Sequence, residues 1–201
     1  MKLGLLLFFF SPLVFAQISL LSAEYQGSGC PQGQVSVTMT PNGSAFSILY
    51  DAFDLRVDKN ITMARASCRV VLHVKKPRKT GFRIENAEFR GFVALDAGVS
   101  ASQNVKVMVG PNYGHQKLSA EFGSQIWQGP IAENYNLSAV RPVNKKPPVL
   151  DCVPPKENTD IVIDSQIQVN SAGGEFGQLT VDSIDGVLVQ KFNVTWVNCG
   201  K

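Results

Sequence analysis

The stretch VSVTMTPNGSAFSILY, residues 35–50, alternates apolar and polar residues on both sides of a turn. The alternation has a period of two over 35–40, and it resumes over 45–50 after Asn42 and Gly43. An Asn-Gly pair between two alternating runs is the strongest local signal for a tight turn, because both residues tolerate positive φ. The stretch therefore predicts a β-hairpin.

The same period of two recurs along most of the chain. No window has a helical period over three turns, although 58–66 comes nearest and is compatible with one helical turn. Some ten short strands separated by Gly, Pro and Asn turns predict an all-β fold, an antiparallel β-sandwich, with a β-barrel as the alternative. Beyond the hairpin, strands are predicted at 69–75, 80–84, 87–95, 105–109, 117–122, 161–169, 178–184 and 187–197.

Residues 1–16 have the composition of a secretory signal peptide. Lys2 supplies a positive charge, an apolar run begins at Leu3, and Ala16 is a small residue at the end of the run. The run is too short to span a bilayer, which takes about 20 apolar residues. We expect cleavage after Ala16 and no integral membrane protein; an uncleaved anchor or a buried first strand is the alternative.

Length and charge restrict the class of protein further. Residues 17–201 suit a single β-sandwich domain of about 185 residues. The 19 basic and 16 acidic residues give a formal net charge of +3, which favours neither nucleic-acid binding nor a membrane surface. The segment 141–155 is rich in proline, which lacks the N–H donor of a strand, so we predict a loop within that domain.

The four cysteines are Cys30, Cys68, Cys152 and Cys199. An even number in an exported chain predicts two disulfides, and three connectivities are open. Proximity in sequence favours Cys30–Cys68 and Cys152–Cys199, each closing a loop of about 40 to 50 residues. No pair has the spacing of a zinc ribbon or a redox dithiol, so metal ligation is the less favoured alternative.

Several blocks of sequence, taken in order, resemble one family. They are GSGCPQG at 27–33, the hairpin at 35–50, Phe53, Cys68 with the strand after it, RGFVALDAGV at 90–99, and DSIDG at 182–186 before a closing strand with Trp196 and Cys199. They are similar to the secreted-protein family known as domain of unknown function 4360, and 103–157 matches least. The resemblance implies an exported, cysteine-bridged protein and supplies no catalytic residues.

The sequence lacks the motifs of common hydrolases, Gly-x-Ser-x-Gly and His-Glu-x-x-His. Its two histidines, His73 and His115, lie far apart, and His73 falls within an apolar strand. We therefore expect no enzyme activity, no cofactor and no metal.

Pairs of carboxylates keep one catalytic alternative open, a secreted hydrolase acting on glycans. Oxygen-rich turns also bind calcium, which makes a calcium site the alternative for Asp182 and Asp185. The preferred interpretation of these two residues is an Asx-type turn. The pairs are Asp51 with Asp54, Glu85 with Glu88, and Asp182 with Asp185.

Lys75, Lys76, Arg78 and Lys79 surround Pro77 and form a dense run of positive charge. The preferred interpretation is a solvated hairpin tip. The alternative is a contact point for an anionic envelope polymer or a glycan.

Trp127, Tyr113 and Tyr135 lie in loop-like stretches, where an exposed ring offers a platform for a sugar. Core packing is the preferred interpretation for each of them. The function predicted from the sequence is a non-catalytic exported domain that binds an extracellular polymer or a protein partner. A secreted hydrolase, or a secreted inhibitor or effector, is the alternative.

Overall fold

The structure is a computed structural model, and it describes residues 18–109, 119–140, 149, 152, 157–181 and 190–199. Within these ranges the regular structure is entirely β, and no helix there has the length and apolarity to cross a membrane. The strands are β1 (Ser19–Gln26), β2 (Val35–Met39), β3 (Ala45–Tyr50), β4 (Asp54–Val57), β5 (Met63–Lys75), β6 (Thr80–Leu95), β7 (Val99–Val109), β8 (Ser119–Gln128), β9 (Ile131–Val140), β10 (Asn158–Ser171), β11 (Gly177–Thr180) and β12 (Gln190–Asn198).

The strands form two antiparallel sheets. The five-stranded sheet has the order β1-β5-β10-β7-β8. The seven-stranded sheet has the order β2-β3-β12-β6-β11-β4, with β9 paired to β6. Neither sheet closes into a barrel, so the predicted β-sandwich is confirmed and the barrel alternative is wrong.

The predicted hairpin is confirmed, with β2 and β3 paired from Val35↔Tyr50 to Met39↔Phe46. Its turn is longer than the Asn-Gly pair, because the strands stop at Met39 and resume at Ala45. Gly43 has a φ of 67° there. The Trp196 side chain on β12 donates a hydrogen bond from Nε1 to the Gly43 carbonyl at 2.8 Å, which ties the turn to the neighbouring strand.

Two local predictions are wrong. The strands predicted at 80–84 and 87–95 are one strand, β6, in which Glu85 is the extra residue of a β-bulge opposite Asn193 and Val194. A bulge lets the ladder continue past a residue that breaks the alternation. The segment 58–66 holds no helical turn, because an Asp58–Ile61 bridge closes a tight turn and β5 begins at Met63.

Alternation along β10 shows how each sheet separates core from surface. Ile161, Ile163 and Ile167 are fully buried, whereas Asp164 and Gln166 point to the other face and are partly exposed. Successive side chains of a strand point to opposite faces, so an alternating sequence buries one face and leaves the other polar. The five-stranded sheet therefore has an apolar inner face and a polar outer face.

Aromatic rings pack side by side on the inner face of the seven-stranded sheet. Phe46 and Phe192 stack with ring centroids 4.7 Å apart, and Phe89 meets Phe192 edge-on at 6.0 Å. A polar contact joins the two sheets, where the Ser165 hydroxyl on β10 donates to Gln190 Oε1 on β12 at 3.0 Å, and the Tyr50 hydroxyl donates to the same oxygen at 3.1 Å. Such buried polar groups are tolerated because they are hydrogen-bonded.

Burial raises the pKa of both Tyr50 and Tyr135 far above the ordinary value of about 10. The unfolded chain therefore releases these protons at about pH 10 while the folded chain keeps them, so the stability falls as pH rises. We expect a loss of about 1.4 kcal/mol per pH unit for each tyrosine above about pH 10. Urea unfolding between neutral and alkaline pH measures this slope. The Y50F/Y135F variant should show a clearly shallower slope. An unchanged slope would mean that these two tyrosines do not cause the loss of stability.

The predicted signal peptide and most of the proline-rich loop at 141–155 lie outside the described residues. Cleavage after Ala16 and the extent of the domain therefore stay predictions. The predicted disulfides do lie within the described part: Cys30–Cys68 and Cys152–Cys199 are both formed, each with a Cα–Cα distance of 5.4 Å.

Candidate functional site

A groove of about 580 Å³ crosses the outer face of the five-stranded sheet. It runs over the end of β1 and then over β5, β10 and β7, which are neighbours in that sheet. Its volume is within the range of about 300 to 1,000 Å³ that ligand sites occupy. The lining residues are Gln26, Gly27, Ser67, Cys68, Arg69, Asn104, Lys106, Asp164, Ser165 and Gln166.

The backbone at Gly27 and the first disulfide form one end of the groove. β1 ends at Gln26, and the chain then turns over β5 through Gly27, whose φ is 144°. A Cβ at this position would lie 2.1 Å from the Ser67 carbonyl oxygen, so the close approach requires glycine. The Cys30–Cys68 disulfide then holds the turn against β5.

The strand register aligns the groove side chains in two rows that run across the strands. One row is Gln26, Arg69, Asp164 and Lys106. The second row, one step along the face, is Ser67, Gln166 and Asn104. Neighbouring strands are about 4.8 Å apart, so a row over four strands is about 14 Å long.

The centre of the first row is a bidentate ion pair. Arg69 Nε donates to Asp164 Oδ1 at 2.6 Å and Nη2 donates to Oδ2 at 2.7 Å. The two side chains are 38% and 30% exposed, and pairs this open add only about 0 to 1 kcal/mol to stability. The pair therefore matters more for holding both side chains in a fixed orientation than for stabilising the fold.

One amide of the second row, Gln166, is also held by a lateral hydrogen bond. Arg65 Nη2 donates to Gln166 Oε1 at 2.5 Å, so the amide is oriented by a neighbour on the adjacent strand. Lateral bonds of this kind reduce the side-chain entropy that ligand binding would otherwise have to remove.

A small apolar cluster lies beside the first row on the same outer face. Val71, Met108 and Val162 are cross-strand neighbours and are nearly or completely buried. Beyond them, His73 Nδ1 lies 2.7 Å from Asp160 Oδ1, and His73 Nε2 lies 3.6 Å from Glu24 Oε1. His73 thus links three strands at the rim of the sheet and does not line the groove.

The predicted basic contact residues are distributed at the β5–β6 corner and do not line the groove. Lys75 is exposed at the end of β5. Lys76 is buried, and its Nζ donates to the Thr80 carbonyl at 2.6 Å. The structure therefore gives these two lysines different environments.

The other two basic residues also have partners at this corner. Arg78 Nε lies 2.9 Å from Glu157 Oε1. Lys79 has a φ of 58°, and its carbonyl accepts a hydrogen bond from the Cys199 amide at 2.7 Å. A role in ligand contact stays a prediction for the four residues, and the groove is the better-built site.

Trp127 lies in the interior, with 6% of its surface exposed, and its ring packs 4.8 Å from that of Tyr135. The Tyr135 hydroxyl donates to the Thr180 carbonyl at 2.8 Å. A ring buried in this way has no free face for a sugar, so we do not include Trp127 in the site. Tyr113 and His115 lie outside the described residues.

Two of the three carboxylate pairs lie away from the groove. Asp51 and Asp54 are exposed, and Glu85 and Glu88 are on β6 of the other sheet. Asp182 and Asp185 lie outside the described residues, so the calcium alternative for their turn stays untested. Asp164 is the carboxylate of the groove lining, and in the described part of the chain no three His, Cys, Asp or Glu residues converge on a metal position.

Comparison by sequence identifies relatives of the chain. Residues 16–199 match the family described as Domain of unknown function (DUF4360). An uncharacterized secreted protein of Arthroderma benhamiae is 25% identical over 186 residues, which cover 91% of this chain and 72% of that protein. The secreted relative and the two disulfides agree with the predicted export of this chain.

Comparison by structure finds distant likenesses. TmCBM61 in complex with β-1,4-galactotriose is 12% identical, with 87% of this chain and 90% of that chain covered and a TM-score of 0.28. The family 11 carbohydrate-binding module from Clostridium thermocellum, in complex with a β-1,3-1,4-mixed-linked tetrasaccharide, is 9% identical, with 83% and 96% covered and a TM-score of 0.22. TM-scores this low carry no argument about the ligand of this chain.

Proposed function

The chain belongs to the DUF4360 family, and from that premise we propose that it is an exported, non-catalytic domain that binds an extracellular polymer on the outer face of its five-stranded sheet. The observation that carries this proposal is the groove across β1, β5, β10 and β7. Its polar side chains come from four strands, and lateral hydrogen bonds already orient Arg69, Asp164 and Gln166.

The shape and chemistry of the groove favour a polymer over a small molecule. Sites for small molecules are concave and mostly apolar, and they bury most of the ligand. This groove lies on a sheet face and is lined by charged, amide and hydroxyl side chains. A long ligand makes many hydrogen bonds of this kind at once, which compensates for the weakness of each one.

The same lining supports binding without catalysis. Glycoside hydrolysis requires two carboxyl groups that face the scissile bond. In the groove, Asp164 is held by Arg69 in a bidentate pair, and none of Asp51, Asp54 or Glu88 contributes to the lining.

A double variant in the second row tests the proposal. N104A/Q166A removes two groove amides whose side chains point outward, so the core is unchanged. We expect binding to the polymer to weaken about 10- to 100-fold, as expected for two lost hydrogen bonds. Pull-down of the purified protein by insoluble cell-wall and envelope fractions, quantified against protein concentration, measures the change.

The matched control is N134A/Q178A, which removes one Asn and one Gln from β9 and β11 of the seven-stranded sheet. We expect this control to bind as the unchanged protein does. If N104A/Q166A also keeps full binding, or if the fractions capture no protein at all, the proposed function is wrong.

A further inference from the structure

Charges of both signs lie in and beside the groove, and they nearly cancel. Arg69 and Lys106 lie on either side of Asp164 in the first row, and Arg65 and Glu24 lie beside the groove. Glu24 and Arg69 share a smaller depression of about 160 Å³ that adjoins the groove. The three basic and two acidic groups leave a surplus of one positive charge, which gives a polyanion far less attraction than a basic patch does.

The uncharged groups of the groove can both donate and accept. Asn104 and Gln166 each carry an NH₂ group and a carbonyl oxygen, and Ser67 carries a hydroxyl. A sugar hydroxyl also donates and accepts, so it matches such groups, whereas a carboxylate or sulfate only accepts. The bidentate Arg69–Asp164 pair likewise presents donor and acceptor atoms side by side.

These groups also recur at a regular spacing. Polar side chains follow one another from β1 to β7 at the interstrand distance of about 4.8 Å, over about 14 Å. A polymer that lies across the strands therefore meets a polar group from each strand in turn. A repeating chain of hydroxylated units fits this arrangement.

We infer that the groove binds a neutral, hydroxyl-rich polysaccharide laid across the strands of the five-stranded sheet. This inference rests on the proposed function and adds the class of ligand to it. Because the charges in and beside the groove nearly cancel, we expect binding to depend only weakly on salt.

Native gel electrophoresis through dissolved polysaccharides tests the inference. The neutral probes are a glucan, a mannan, a galactan and a xylan, and the anionic probes are polygalacturonate and alginate. We expect at least one neutral polymer to retard the protein, equally from about 50 to about 500 mM NaCl. Retardation by none of the neutral polymers, or by the anionic ones alone, overturns the inference.

Two charge variants sharpen the test. D164N removes the carboxylate of the bidentate pair and makes the site more positive by one charge, so we expect about tenfold weaker binding to the neutral polymer and a new, salt-sensitive retardation by polygalacturonate. R69Q/D164N removes both charges and should not gain that retardation. Both variants should stay folded, because a partly exposed pair on the outer face of the sheet contributes little to stability.

The two proposals fail differently in these experiments. The unchanged protein could instead bind only anionic polymers, in a salt-sensitive way, and N104A/Q166A could lose this binding. That result would reject a neutral ligand and keep the groove as the binding site. If N104A/Q166A binds a neutral polymer as strongly as the unchanged protein does, the groove is not the binding site. If D164N behaves like the unchanged protein toward both classes of polymer, the charge of Asp164 does not determine which class binds.

Discussion

Replacement of Phe192 by alanine is expected to lower the free energy of unfolding by about 3 to 5 kcal/mol, the range for a large aromatic side chain removed from a core. Phe192 is 0% exposed and lies at the middle of the sandwich. Its ring stacks on Phe46 and meets Phe89 edge-on, so truncation removes both contacts and leaves a cavity between the sheets.

Urea unfolding followed by intrinsic fluorescence measures the loss from F192A. The control is F176A, because Phe176 has the same side chain at a turn and is 42% exposed. We expect F176A to cost less than about 1 kcal/mol. Equal losses in the two variants would mean that the aromatic cluster does not stabilise the core.

The second large effect is expected from loss of the first disulfide. C30A/C68A should lower stability by about 4 kcal/mol on the chain-entropy account, because the bridge closes a loop with a sequence separation of 38. The bridge also holds Gly27 over β5 at one end of the groove. Polymer binding should therefore weaken in C30A/C68A under conditions where it is still folded.

Thermal unfolding of C30A/C68A, with Cys152–Cys199 intact, gives the size of this effect. Q32A is the control, since Gln32 is exposed within the same loop and forms no part of the bridge. A melting temperature equal to that of Q32A would contradict the stabilising role. Full binding by the folded double variant would contradict the role in the groove.

Local signals in the sequence predicted much of this fold. The hairpin at 35–50 was readable because its alternation and its turn lie within sixteen residues of each other. The disulfide pairing followed from proximity in sequence, since each bridge joins cysteines from adjacent parts of the chain. The alternation of β10 likewise marked its buried face.

Other strands were missed because their signals were weak. β1 carries partly exposed residues on both faces, as an edge strand does, so its pattern resembles a loop. β4 has only four residues. β9 alternates Tyr135 and Leu137 with polar residues, but Pro130 just before it and the many polar residues favoured a loop.

The candidate site was not predictable in the same way. Arg69, Lys106 and Asp164 are far apart in the chain and meet only through the register of three strands. Each of them looks like an ordinary surface residue of its own strand. The run of polar residues on the outer face of β10 was the one available signal, but it did not show which strands flank β10.

The basic run at 75–79 shows the opposite case, a cluster that is dense in sequence and dispersed in space. The turn sends Lys76 inward to the Thr80 carbonyl and Arg78 outward to Glu157. Adjacent residues at a corner point in different directions, so their proximity in sequence does not make one surface.

The most direct test of the central claim is a titration of isotope-labelled protein with the polysaccharide that retards it, followed by backbone amide NMR shifts. We expect shifts along both groove rows, at Arg69, Asp164, Gln166 and Asn104, with small changes at Asn134 and Gln178 on the other sheet. Shifts confined to the seven-stranded sheet or to the β5–β6 corner would contradict the claim that the polymer lies on the outer face of the five-stranded sheet.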